Sequence, residues 1–156
     1  MGPDNRTSRL IFAAALAVVS APWLAGCGES SDTPLPGRWY TASQVETGRE
    51  LFRSQCAGCH GLEAQGTADW RRRDADGNLP PPPLNGSAHA WHHSREQLVE
   101  YILEGGVPLG GTMPGFAALL QGRQALAVVA FFQSTWDDEI YARWVSMYPP
   151  DKRDGG

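Results

Sequence analysis

The stretch Cys56-Ala57-Gly58-Cys59-His60 constrains this chain more than any other. Two cysteines two residues apart, followed at once by histidine, form the c-type haem attachment pattern. One helical turn puts both thiols on the same side of the backbone, where each can add to a porphyrin vinyl group. The next residue then brings its imidazole under the iron as an axial ligand. With Cys and His each at ~2% of residues, a chance match at one position is on the order of 10⁻⁵. Over a chain of this length the chance expectation is about 10⁻³. The expected cofactor is one covalently bound haem c and its iron.

Two other chemistries use the same residue types. A dithiol redox site would employ Cys56 and Cys59, with His60 tuning the thiolate. It calls for a preceding strand in a βαβ pattern, which the sequence lacks. A zinc site needs four ligands at tetrahedral spacing. His60 adjoins Cys59, and there is no second cysteine pair.

The first segment is not expected to belong to the fold. Arg6 and Arg9 precede an apolar run from Leu10 to Leu24, too short for a comfortable span of ~20 residues. It closes on Leu24-Ala25-Gly26-Cys27 and reads as an export signal. This end resembles the bacterial lipoprotein cleavage box, which implies removal of residues 1–26 and lipidation of Cys27. The alternative is an ordinary secretory signal with a spare cysteine, but a lone exposed thiol is a liability in an oxidising compartment. The expected location is the periplasmic side of a bacterial membrane, held by several acyl chains. Export suits haem attachment, which needs both thiols outside a reducing cytoplasm.

Removing Arg6, Arg9 and Asp4 with the leader leaves 11 basic against 16 acidic side chains, a balance of −5. The single lysine is Lys152. That excludes a basic stripe for nucleic acid and a lysine-rich docking face. A redox partner protein should be basic or apolar where it touches.

Residues 27–38 read as a flexible tether of Ser, Asp, Thr, Pro and Gly. A helix is expected from about Ala42 to Gln55, opened by a Ser43/Glu46 capping box. Val45, Gly48, Leu51 and Phe52 form its apolar face. A second runs from Arg123 to Thr135 and is apolar on more than one face, hence largely buried. A Gly and an aromatic four residues apart, crossing an aromatic-bearing last helix, resemble class I cytochrome c. The implied fold is all-α, with helices packed around one haem over residues 39–136.

The resemblance implies further roles. In Pro80–Pro83 and Leu84-Asn85-Gly86, a proline carbonyl accepts the Nδ1–H of His60 and Leu84 packs on the haem. That proline is Pro82 by alignment, although the run also admits a neighbouring register. Such bonds fix the imidazole tautomer and raise its basicity. Met113, in Gly110-Gly111-Thr112-Met113-Pro114-Gly115-Phe116, becomes the second axial ligand; gap-filling is the plainer role for a loop methionine. Met1 leaves with the signal, and Met147 lies beyond the last core helix.

Between these marks the chain departs from the likeness. Asp74, Asp76 and Asn78 mimic the start of a calcium loop but lack its closing glutamate, so a turn is expected. The run Arg71-Arg72-Arg73 should face mainly water. His89, Trp91, His92 and His93 form a second constellation. Trp91 and one histidine are expected to bond a haem propionate, and the three histidines could alternatively hold copper or zinc. They are also the fallback sixth ligands. Ser94 and Gln97 make a capping box for a helix through Leu98, Tyr101, Ile102 and Leu103, ended by Gly105 and Gly106. Residues 137–156 form a helical extension and tail, with Ile140, Trp144 and Val145 on its apolar face.

The function expected from the resemblance is one-electron transfer, without enzymatic activity, to or from an exported redox enzyme or oxidase. The competing readings are a haem enzyme acting on peroxide or a gas after Met113 is displaced, and a copper-handling protein using the histidines.

Overall fold

The computed structural model describes residues 33–107 and 111–149. The export signal, Cys27 and Lys152 lie outside the described residues. Among the described residues five α-helices follow in order: α1 (Ala42–Gln55), α2 (Ala57–His60), α3 (Arg95–Glu104), α4 (Gly122–Ser134) and α5 (Asp138–Met147). A 3₁₀ turn at Ala90–His92 precedes α3. No strand occurs among the described residues, so the all-α expectation holds.

Caps set the helix starts. The N-cap of α1 is Thr41, whose hydroxyl accepts from the Gln44 amide while the Gln44 side chain accepts from the Thr41 amide. The box therefore opens two residues earlier than the expected Ser43/Glu46 pair, because Thr41 is the last residue with extended backbone angles. In α3 the Ser94/Gln97 box forms as expected, and Gly105 ends the helix at a φ of 81°. Asp137 caps α5 by accepting from the Ile140 amide at 2.7 Å.

The largest interhelical interface is that of α1 with α4. Gly48 lets the two backbones touch: a Cβ there would lie 1.8 Å from the Ala127 carbonyl oxygen. That contact is the packing reason for a glycine that otherwise costs a helix about 1 kcal/mol. One turn on, the Phe52 and Phe131 rings meet at 5.0 Å. Helix α4 buries eight residues, from Ala125 to Gln133, on more than one face.

Helix α5 completes the core with Tyr141 and Trp144, while Ile140 and Val145 are only partly buried. Tyr40, Trp136, Tyr141 and Trp144 pack as edge-on or tilted rings. Buried Gln133 accepts from the Trp39 indole at 2.6 Å, and its Nε2 has no hydrogen-bond partner. The last tether residues are tied down. Leu35 and Arg38 make backbone bonds in a turn returning to Tyr40, and Arg38 pairs with Asp138 over the Tyr141 ring. No described helix is long and apolar enough to cross a membrane.

Candidate functional site

Cys56 ends α1 and starts α2, so the attachment motif is a direct continuation of the helix clamped to α4. Its amide donates to the Phe52 carbonyl at 2.8 Å, and its own carbonyl accepts from His60 at 2.9 Å. Cys56 is buried and Cys59 exposed. Burial first, and neighbouring Cys59 second, push the Cys56 thiol up to about 11.

His60 is buried, and its Nδ1 lies 2.9 Å from the Pro82 carbonyl oxygen. A carbonyl can only accept, so Nδ1 carries the proton and Nε2 keeps a free lone pair. Burial lowers the histidine's proton affinity, and the Pro82 bond partly opposes it. The structure thus selects Pro82 from the four prolines, in the expected register.

A clasp holds this proline strap to the loop after His60. Thr67 N–H donates to Pro81 O at 2.9 Å, and Leu84 N–H donates to Ala64 O at 2.8 Å. Between them Gly66, at a φ of 61°, donates to His60 O at 2.7 Å. A Cβ on Gly66 would sit 2.3 Å from the Pro83 nitrogen, so only glycine admits this approach. Ala64 is fully buried at a φ of 55°, rare for a residue with a side chain. On the outer side, the Trp136 indole donates to Leu84 O at 2.7 Å. Sequence reasoning misses that role for Trp136; an aromatic just past α4 is the only signal of it. Leu84 itself is half-buried against the core.

Met113 is also half-buried against that core. Its carbonyl accepts from Gly106 at 2.9 Å, while Phe116 and Ala117 donate to the Ile102 and Leu103 carbonyls at the end of α3. The Met-Pro loop is therefore stitched to a helix terminus.

In the histidine constellation His89 and His93 meet edge-on at 5.8 Å, and each ring also packs on an aromatic side chain. His89 stacks on Trp70 at 5.0 Å, His92 sits edge-on to Trp91 at 3.8 Å, and His93 sits edge-on to Tyr101 at 5.2 Å. No group of three or more His, Cys, Asp or Glu able to hold a metal ion occurs among the described residues. The arrangement gives the copper or zinc expectation no support: each ring packs on an aromatic neighbour, and His89 and His93 also meet edge-on. Trp91 lies beneath the Arg143 guanidinium of α5 at 5.2 Å. It borders an open groove of about 610 Å³ with Arg71, Asn85, His89 and His92. Asp74 forms the expected turn, its carboxylate accepting from the Asp76 and Asn78 amides. Arg72 pairs with Asp69, and Arg73 donates to Gly77 O; both arginines are exposed.

Two thiols on one turn, an imidazole with only Nε2 open and a thioether in a pinned loop are a donor set that fits a haem c. No curated protein and no solved structure matches the chain. The sequence profile of the family described as "Cytochrome C oxidase, cbb3-type, subunit III" matches residues 43–132, more than half of the chain. This span runs from the first turn of α1 to Phe132 and includes the attachment motif, the proline strap and the Met-Pro loop. The chain belongs to this family, as a monohaem c-type cytochrome domain that binds a covalently attached haem c with its iron.

Proposed function

We propose that this chain is a membrane-tethered carrier of single electrons, working between redox partners on the periplasmic side of a bacterial membrane. Electron transfer through a c-type haem is the family's chemistry. When bound, the haem supplies an iron that alternates between ferrous and ferric states. Cys56 and Cys59 would hold it by thioethers, and His60 Nε2 and the Met113 sulfur would ligate its iron. Pro82 keeps the imidazole in the one tautomer that can ligate, and Leu84 excludes water from the same face. Trp91 supports the propionate side.

The observation that carries this reading is the His60 Nδ1–Pro82 bond at 2.9 Å. It commits one ring nitrogen to backbone and leaves the other for iron. A rigid two-ligand site keeps reorganisation small and leaves no position for a substrate, which supports a carrier over an enzyme. The leader and Cys27 support export and lipid anchoring. The acidic balance of −5 after Cys27 favours an oxidase or redox enzyme that is basic or apolar at its docking surface.

The test is the near-infrared and visible spectrum of Met113→Ala beside the parent. The oxidised parent should show a sulfur-to-iron charge-transfer band that the variant loses, and the variant should bind carbon monoxide. Identical spectra would remove Met113 from the iron.

A further inference from the structure

Trp136 stands outside the attachment motif, the strap and the methionine loop, yet it is bonded to the middle of this machinery. Its indole N–H donates to Leu84 O at 2.7 Å. Two residues upstream on the same strap, Pro82 O receives the His60 ring proton. Three of the strap's other backbone contacts come from the inner side: Thr67 on Pro81, Ala64 on Leu84, and the close approach of Gly66 to Pro82 and Pro83. Proline has no N–H, so Pro80 to Pro83 cannot be held by donating to neighbours. The strap's hydrogen bonds are those its carbonyls accept and those at the ends of the run.

The Trp136 ring also seats the turn beyond the strap, since a Cβ on Gly86 would lie 3.2 Å from it. The ring is buried, flanked by Phe132 of α4 and Trp144 of α5. Rigid helices thus fix the indole, and the indole fixes the strap from outside.

We infer that Trp136 is a positioning residue for the proximal ligand: through Leu84 it holds the proline strap at the distance that keeps Pro82 O on His60 Nδ1. The inference rests on the reading of His60 as the iron's proximal ligand. A strap free to drift outward lengthens the Nδ1–H···O bond. A ring that shares its proton less with the carbonyl is a poorer donor to iron, which favours the ferrous state.

The test uses the haem-loaded full chain, with Trp136→Phe and Trp144→Phe as a matched pair. Each variant removes one indole N–H bond to a backbone carbonyl, Leu84 O or His93 O, and keeps an aromatic ring. Two readouts are the reduction potential and hydrogen exchange of the His60 Nδ1–H in the ferrous protein. Trp136→Phe should raise the potential and speed that exchange about fivefold, the effect of losing one ordinary hydrogen bond. Trp144→Phe should lower stability comparably and leave both readouts at parental values. If the two variants behave alike, Trp136 is only core packing and the inference falls. If Trp136→Phe does not fold, exchange in the parent decides: the Trp136 indole N–H and the His60 Nδ1–H should open together. A fast-exchanging indole beside a protected His60 overturns the coupling. A parent without covalent haem defeats this inference and the functional reading together, whereas a normal parent with an unaltered Trp136→Phe defeats the inference alone.

Discussion

Gly48→Ala tests the helix crossing on which the attachment motif is mounted. The added Cβ would lie 1.8 Å from Ala127 O, 2.5 Å from Ala127 C and 3.0 Å from Phe131 Cβ. The obstacle is mainly backbone, which cannot rotate away, so α1 and α4 must separate by roughly 1 Å or more to restore ordinary contact. Overpacking of this kind costs about 1–3 kcal/mol, and a backbone clash belongs at the upper end. Alanine's better helix propensity returns about 1 kcal/mol. The net expectation is a loss of about 2 kcal/mol, or roughly 10 °C in Tm for a domain of this size. Separation would also loosen the Phe52–Phe131 contact one turn from Cys56. The assay is urea unfolding followed by circular dichroism, with Gly122→Ala as control. Gly122 opens α4, and a Cβ added there would meet nothing within 4 Å, so its alanine variant should be neutral or slightly stabilised. Equal losses in the two variants, or none at Gly48, would refute the close-crossing argument.

Further outcomes follow from other contacts. Gly66→Ala places a side chain at a φ of 61° and against the Pro82–Pro83 backbone; it should open the clasp and reduce the yield of covalently loaded protein, read by pyridine haemochrome. Trp39→Phe removes the bond to Gln133 Oε1 and leaves a fully buried amide with neither polar atom paired. The expected cost is about 1–3 kcal/mol in chemical denaturation. His89 and His93 are both harder to protonate in the fold than the ordinary 6.5, from burial first and from neighbouring imidazoles next. The unfolded chain therefore binds more protons near that pH, and stability should fall as pH is lowered through 6.5. Proton NMR should give both rings midpoints below 6.5, and a His89→Gln, His93→Gln double variant should flatten the slope of stability between about pH 7.5 and 5.5.

Much of the molecule is written locally. The spacing Cys56-x-x-Cys59-His60 specifies the cofactor because covalent attachment needs two thiols and an imidazole within a turn or so of each other. Helix spans follow from apolar period and from caps a few residues away, as at Ser94/Gln97 and Gly105. The first cap falls at Thr41 instead of Ser43 because both residues satisfy the same local rule, and only the backbone angles choose between two such boxes.

What tertiary structure alone decided is who meets whom across the chain. Three histidines within five residues have the spacing of a metal site, but in the fold they pack against Trp70, Trp91 and Tyr101, with His89 and His93 edge-on to each other. Four consecutive prolines offer several registers, and the clasp at Ala64 and Thr67 chooses the one that puts Pro82 on His60. Tyr141 and Trp136 gain their roles from partners as distant in sequence as Trp39 and Leu84. The physical reason is common to all of these. A hydrogen bond or ring contact between distant residues depends on how helices pack, and packing is a property of the whole core that no short window of residues encodes.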